Sequence, residues 1–182
     1  MAAGDAVPRN RPGDEARRVA KLEQNLQEAV SALQSQAVVL ASLLVPGTAT
    51  SSATNVGIPV AVAGDGAPAL TVTSTVPPGM TRLLLDMTGW ASAVNGTTGA
   101  EPLSIQCRVT DAVGNVTTSA KQTTTVPAGT SEQVSGGLRL LMVNLNPGDV
   151  LTHQLLVFTA GTAWPANAAT VLDLQATLLW LA

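Results

Sequence analysis

Tyrosine is absent from the 182 residues, phenylalanine occurs once and tryptophan three times, so aromatic side chains make up only 2% of the chain. Sugar recognition by ring stacking is thereby confined to a few positions. A single histidine and a single cysteine are too few for a zinc centre and leave no intrachain disulfide. Charged residues amount to 12%, against about 25% in ordinary domains. The formal net charge is −3, and residues 1–54 carry five basic and five acidic side chains while residues 55–182 carry four and seven. Clustered Lys and Arg are missing, which argues against nucleic acid as a direct ligand. The one continuous apolar piece, AVVLASLLV at 37–45, falls short of the ~20 apolar residues that cross a bilayer. The first thirty residues hold five basic side chains and no apolar core, so no signal peptide is expected and the product is expected to be made in the cytoplasm.

Catalytic chemistry is equally poorly supplied. Any Ser-His-Asp triad has to use His153, which alternates with Leu151, Leu155 and Val157 as an interior residue does, and no G-x-S-x-G motif is present. Candidate glycosidase carboxylates such as Asp86, Glu101, Asp111, Glu132 and Asp149 fall in turns or on wet strand faces. DAVGN at 111–115 offers Asp111 and Asn115 to calcium but lacks an acid-rich loop, and a hairpin turn is the plainer reading. The sequence therefore predicts no enzyme, no cofactor and no metal.

What is present begins with 14–45, DEARRVAKLEQNLQEAVSALQSQAVVLASLLV. Val19, Leu26, Leu33 and Leu40 recur every seventh residue, with Leu22, Ala29 and Leu43 three places on, which is a coiled-coil period. The alternative second row is Glu23, Val30, Ala37 and Leu44. Competing rows widen the stripe beyond a two-stranded seam and lean toward three strands, without deciding between dimer and trimer. Gln36 stands in the first alternative's core, where it would fix register at a cost in stability. A helix packed on its own domain is the competing reading. Val19, Leu22, Leu26, Ala29, Val30, Leu33, Leu40 and Leu43 are thus assigned to self-association. Asp14 is placed as N-cap after Pro12 and Gly13, and Pro46 and Gly47 as the stop.

Beyond residue 57 the period changes. Short Val, Leu and Thr runs alternate with Gly, Pro, Asn and Asp clusters, which predicts about eight strands, near 58–63, 69–76, 80–90, 103–110, 115–126, 132–145, 149–160 and 169–181, and an antiparallel sandwich or jelly roll. Pro at the second position and Gly at the third predict type II turns in VPPG, VPAG and NPGD. Four segments follow: an arm over 1–13, the coiled-coil helix over 14–45, a linker over 46–57 and the β-domain over 58–182. The strands at 138–145 and 151–158 are apolar on both faces, so one face of each is expected to meet neighbouring copies. Trp164, in the loop GTAWPANA, is the candidate receptor contact, with Asn167 and Trp90.

The run VPPGMTRLLLDMTGWASAVNGTTGAEPLSIQCRV, then a Thr/Ser-rich strand and a leucine-rich strand leading into LNPGDVLTHQLLV, resembles the β-domains of minor tail and tail-fibre proteins of phages infecting actinobacteria. The resemblance spans about residues 70–160. It implies a homotrimeric, non-enzymatic virion protein of the tail, its helix joining other tail or baseplate proteins and its β-tip meeting a host cell-surface glycan or protein. A decoration or fibre protein without receptor contact, and a trimeric carbohydrate-binding module of cellular origin, are the alternatives. The Gly148–Asp149 step before a strand is also reminiscent of trimeric jelly rolls of the C1q and tumour-necrosis-factor type, at fold level only.

Overall fold

A computed structural model describes residues 13–61 and 66–182. The chain divides into two units, one ending at Ser42 and the other running from Leu43 to Ala182. The expected arm, apart from Gly13, lies outside the described residues.

The first unit is α1, Asp14–Ser42, about 43 Å long at 1.5 Å per residue. Leu22, Leu26, Leu33 and Leu40 are each at least 60% exposed, and Val19, Val30 and Leu43 between 43% and 53%; Ala29 is exposed as well. The helix ends three residues sooner than expected, where the Ser42 hydroxyl donates to the Val39 carbonyl at 2.7 Å. Among the described helices, none is long and apolar enough to cross a membrane.

The second unit is all β. Its strands are β1 (Leu44–Ile58), β2 (Pro68–Thr75), β3 (Arg82–Val94), β4 (Glu101–Thr110), β5 (Val116–Thr118), β6 (Gln122–Val126), β7 (Ser131–Met142), β8 (Val150–Thr159) and β9 (Trp164–Leu181). One sheet runs β1-β9-β3-β7 and the other β2-β8-β4-β5, with β6 also pairing β4, and every strand pairing is antiparallel. Strands that follow one another in sequence mostly fall in opposite sheets, which is the jelly-roll winding.

The expected linker proves to be a strand. TATSSATNVG belongs to β1, paired with β9 from Leu44↔Leu181 to Ile58↔Trp164. Pro46 and Gly47 do not stop it because β1 lies at the sheet edge, where a missing N–H costs no ladder bond. Asn55 takes φ 57° and makes the bulge between Thr54 and Val56. The strand expected at 58–63 reduces to the tail of β1 and a bridge from Val60 to Thr159, with residues 62 and 63 outside the described set. The strand expected at 115–126 is two, because Ser119 turns inward: its N–H donates to the Cys107 carbonyl at 2.8 Å and its hydroxyl accepts from the Cys107 N–H at 3.0 Å.

The core sits between the sheets and is aliphatic. Leu83, Leu85, Met87, Ala91 and Ala93 of β3 meet Leu103, Ile105, Cys107 and Val109 of β4, Leu151, Leu155 and Val157 of β8, and Leu172, Leu174, Ala176, Leu178 and Trp180 of β9. Gly89 brings the sheets together; a Cβ there would lie 2.5 Å from Leu155 Cδ1. Tight turns close both ends. Gly79, Gly129 and Gly148 adopt φ of 79°, 71° and 92° at the third position of turns closed by Met80→Pro77, Thr130→Pro127 and Asp149→Asn146 bonds, as type II turns require. In VPAG the turn starts one residue later than the spacing predicts, with Ala128 rather than Pro127 second.

Candidate functional site

Strand register sorts the expected contact residues, and it separates them. Trp164 opens β9 opposite Ile58 and is 2% exposed, so the loop reading of GTAWPANA and the placing of a receptor contact on this ring are both corrected. Edge pairing with β1 draws the ring into the core, and its indole Nε1 is buried without a hydrogen-bond partner among the described residues. Asn167 sits opposite Val56 in the bulged part of the same pairing, its Oδ1 accepting from the Ala169 N–H at 2.9 Å. Trp90 lies mid-strand, not at a strand end, between Asp173 of β9 and Ser135 of β7, half-buried on the outer face of its sheet. The three form no common site.

Several titratable groups are committed to structure. His153 is fully buried, with Nε2 2.8 Å from the Ser74 hydroxyl and Nδ1 unpartnered among the described residues. Burial pushes its pKa down to about 4, so the ring is neutral and a weak base at pH 7, and among the described residues no carboxylate orients it as a triad needs. Cys107 is fully buried, its thiol pushed up to about 11 by desolvation. Asp111 holds its own hairpin: Oδ1 accepts from the N–H of Val113 (3.0 Å) and of Asn115 (2.8 Å), and Oδ2 from Asn115 Nδ2 at 2.8 Å. These bonds, the Asn115 side chain first, keep its carboxyl below the usual range. Asp149 caps the 146–149 turn through the Asn146 N–H at 2.9 Å, and Asp86 pairs with Arg139 across the β3–β7 ladder at 3.1 Å. A cleft of about 190 Å³ between Asp111, Val113, Met142, Asn144 and Asp149 is smaller than the ~300 Å³ at which ligand pockets begin.

Spacing alone gave no sign of the role of Asn95. It is fully buried. Its Nδ2 donates to the Gly99 and Val126 carbonyls, both at 2.8 Å, and its Oδ1 accepts from the Thr97 N–H at 2.9 Å and hydroxyl at 2.7 Å. Backbone bonds add Thr130 and Gly129. One side chain thus ties the 95–100 loop to the 126–130 turn at the end of the jelly roll opposite the start of β1.

The two strands that are apolar on both faces part company. In β7 the inward Leu138, Leu140 and Met142 are half-buried, while Leu141 and, just beyond the strand, Val143 are 55% and 52% exposed. In β8 both faces are dry within one chain: Leu155 and Val157 point to the core, and Leu156 and Phe158 on the other face are also buried, Phe158 beneath the backbone at Gly66. The expectation that β8 meets a neighbouring copy is therefore overturned.

What remains uncovered is a band on the outer face of the β1-β9-β3-β7 sheet. Register sets Pro46, Leu179, Leu84 and Leu141 in one row across four strands, and Leu44, Leu181 and the exposed Arg82 in the next. Leu44 and Leu84 are 41% and 42% exposed, and Leu179 and Leu181 half-buried. The following row, Thr48, Thr177, Asp86 and Arg139, is polar.

No protein-family model matches the chain, and no curated protein does. Among solved structures, the globular domain of the zebrafish complement 1qA protein aligns at 13% identity and TM-score 0.42 over 72% of this chain and 94% of that one. A chain of the T13 particle of infectious bursal disease virus aligns at 10% and 0.43, over 75% of this chain and 39% of the viral one. A Clostridium thermocellum xylanase 10B structure, CBM22-1 and GH10 modules with xylohexaose, aligns at 15% and 0.33 over 76% and 26%. At such scores none bears on function, and the jelly-roll assignment stands on the strand order.

Proposed function

We propose that the chain is a non-enzymatic structural protein of a phage tail, a homotrimer whose N-terminal helices wind into a parallel bundle and whose jelly rolls form the displayed tip. The observation that carries this reading is the helix's exposed heptad stripe, whose two rows hold four leucines at 60% exposure or more. A soluble chain rarely leaves so long an apolar stripe to water, and identical helices are the nearest cover for it. Chemistry tied up in turns, ladders and core supports a scaffold over an enzyme.

The phage assignment rests on the resemblance across residues 70–160. Its most specific residues serve the fold: Gly79 turns the chain, Met80 is buried, and Asn95 holds its loop. The likeness accordingly supports a shared architecture more than a shared receptor. With Trp164 inside the core, host contact falls to the loops 95–100, 127–130 and 160–163, at the end opposite the start of β1. Partners are other tail or baseplate proteins through the N-terminal region and a host-surface glycan or protein at the tip, and the location is the virion.

Native mass spectrometry of the full chain and of residues 43–182 tests the assembly. A trimeric full chain is expected, and a full chain that stays monomeric at micromolar concentration overturns the reading. The cut belongs at Leu43, because starting later removes β1 and bares β9. Adsorption blocked by the purified protein tests the tail role; unimpeded adsorption points to the decoration or cellular alternatives.

A further inference from the structure

We propose that the outer face of the β1-β9-β3-β7 sheet, at the end where β1 begins, is a second contact between copies of this chain, centred on Leu44, Leu84, Leu141, Val143, Leu179 and Leu181. The proposal rests on the helical bundle described above and extends it into the jelly roll.

The first support is the band itself. The register places Leu44, Leu84, Leu141, Leu179 and Leu181 side by side on one face, with Arg82 beside Leu181 in the outermost row; Leu44, Leu84, Leu141 and, just past the end of β7, Val143 are between 41% and 55% exposed. A contiguous apolar patch spanning four strands marks an interaction surface, unlike single leucines scattered over a protein. The band also stops sharply: the next row holds the Asp86–Arg139 ion pair, satisfied within the chain.

The second support says what covers it. Leu43 alone separates the last helical residue, Ser42, from Leu44, the first residue of β1. Two residue steps reach at most roughly 7 Å, while packed helices stand about 8–10 Å apart. Helices gathered in parallel therefore draw the starts of β1 from every copy together. Those starts are anchored in the sheet by Leu44↔Leu181 pairing and by the Ala182 N–H donating to the Leu43 carbonyl at 3.2 Å. The surface that the tether brings to a neighbour is the end of the jelly roll carrying the band. A second copy is thus the occupant, and the opposite loops stay outside.

Single cysteines in the full chain test this, because Cys107 is buried and poorly ionised and leaves an introduced thiol as the reactive one. Leu84→Cys, Leu26→Cys on the helix and Val113→Cys, on the 82% exposed turn residue, are each treated with a short bis-maleimide. Covalent dimers are expected from Leu84→Cys and Leu26→Cys and not from Val113→Cys. Adding Leu141→Asp should cut the Leu84→Cys dimer on the order of tenfold, since a carboxylate forced into a dry contact costs at least the ~1.4 kcal/mol that a factor of ten represents. Dimers at Leu26 without any at Leu84 overturn the sheet contact and leave the bundle standing. Dimers at Leu84 without any at Leu26 uphold the sheet contact and overturn the bundle, and dimers at neither overturn both.

Discussion

At the scale of single residues, the few polar groups of the interior set the protein's response to acid. His153 is held neutral by burial, its pKa down at about 4 from an ordinary 6.5. Between those values the unfolded chain binds the proton and the folded chain does not, so stability rises with pH across that window. The contribution is complete above pH 6.5 and is lost as pH falls toward 4, roughly 3 kcal/mol at most. Urea unfolding at pH 7 and at pH 4.5 should show the loss, and His153→Gln, which can still bond the Ser74 hydroxyl, should flatten it. An unchanged slope in that variant would assign the acid sensitivity to other groups.

Trp164 makes a second residue-level case. As a core side chain its replacement by alanine should cost roughly 3–5 kcal/mol, seen as a lower urea midpoint before any effect on binding. Trp164→Phe should be far milder, because the lost indole N–H has no partner among the described residues. Equal stability of Trp164→Ala and the parent would put the ring back on the surface. Asn95→Asp is nearly isosteric but cannot donate to the Gly99 and Val126 carbonyls. A loss of roughly 3 kcal/mol is expected for the pair of orphaned acceptors, measurable by thermal or chemical unfolding.

At the scale of elements, the strands with clean alternation were legible. Leu103, Ile105, Cys107 and Val109, and the inward residues of β9 from Leu172 to Trp180, are buried as their period-2 pattern requires. Gly in positive φ at VPPG and NPGD was legible from turn chemistry. β1 was not, because its inward residues Ala49, Ser51 and Ala53 are too small to register as hydrophobic, and Pro46-Gly47 reads as a stop unless the strand is known to lie at an edge. Its threonine alternation, Thr48, Thr50, Ser52, Thr54, was the available signal. Trp164 was misplaced for the same reason: a Trp-Pro step reads as loop until the pairing partner exists. The dryness of Leu156 and Phe158 was out of reach, since it depends on a segment packing over β8 from elsewhere in the chain.

At the scale of the whole molecule, exposed apolar surface gathers in two places, along the helix stripe and on the outer face of one sheet. The heptad stripe was readable from spacing alone. The band on the sheet was half readable, in the leucines of 138–145, and needed the strand order to add Leu44, Leu84, Leu179 and Leu181 from three other elements. Dilution should therefore act in two stages if both contacts form. In sedimentation experiments on the full chain, Leu26→Asp with Leu33→Asp should abolish the trimer, whereas Leu84→Asp should weaken it without abolishing it. Loss of the trimer from the sheet variant alone would assign assembly chiefly to the jelly roll.

The bond between the Ala182 N–H and the Leu43 carbonyl brings the two extremities of the β-unit side by side. Joining them with a brief glycine bridge and reopening the chain in the exposed turn at 127–130 would give a circular permutant with the same sheets. Such a rewired protein would hang its helix from the opposite pole, turning inside out which face the array shows to its surroundings.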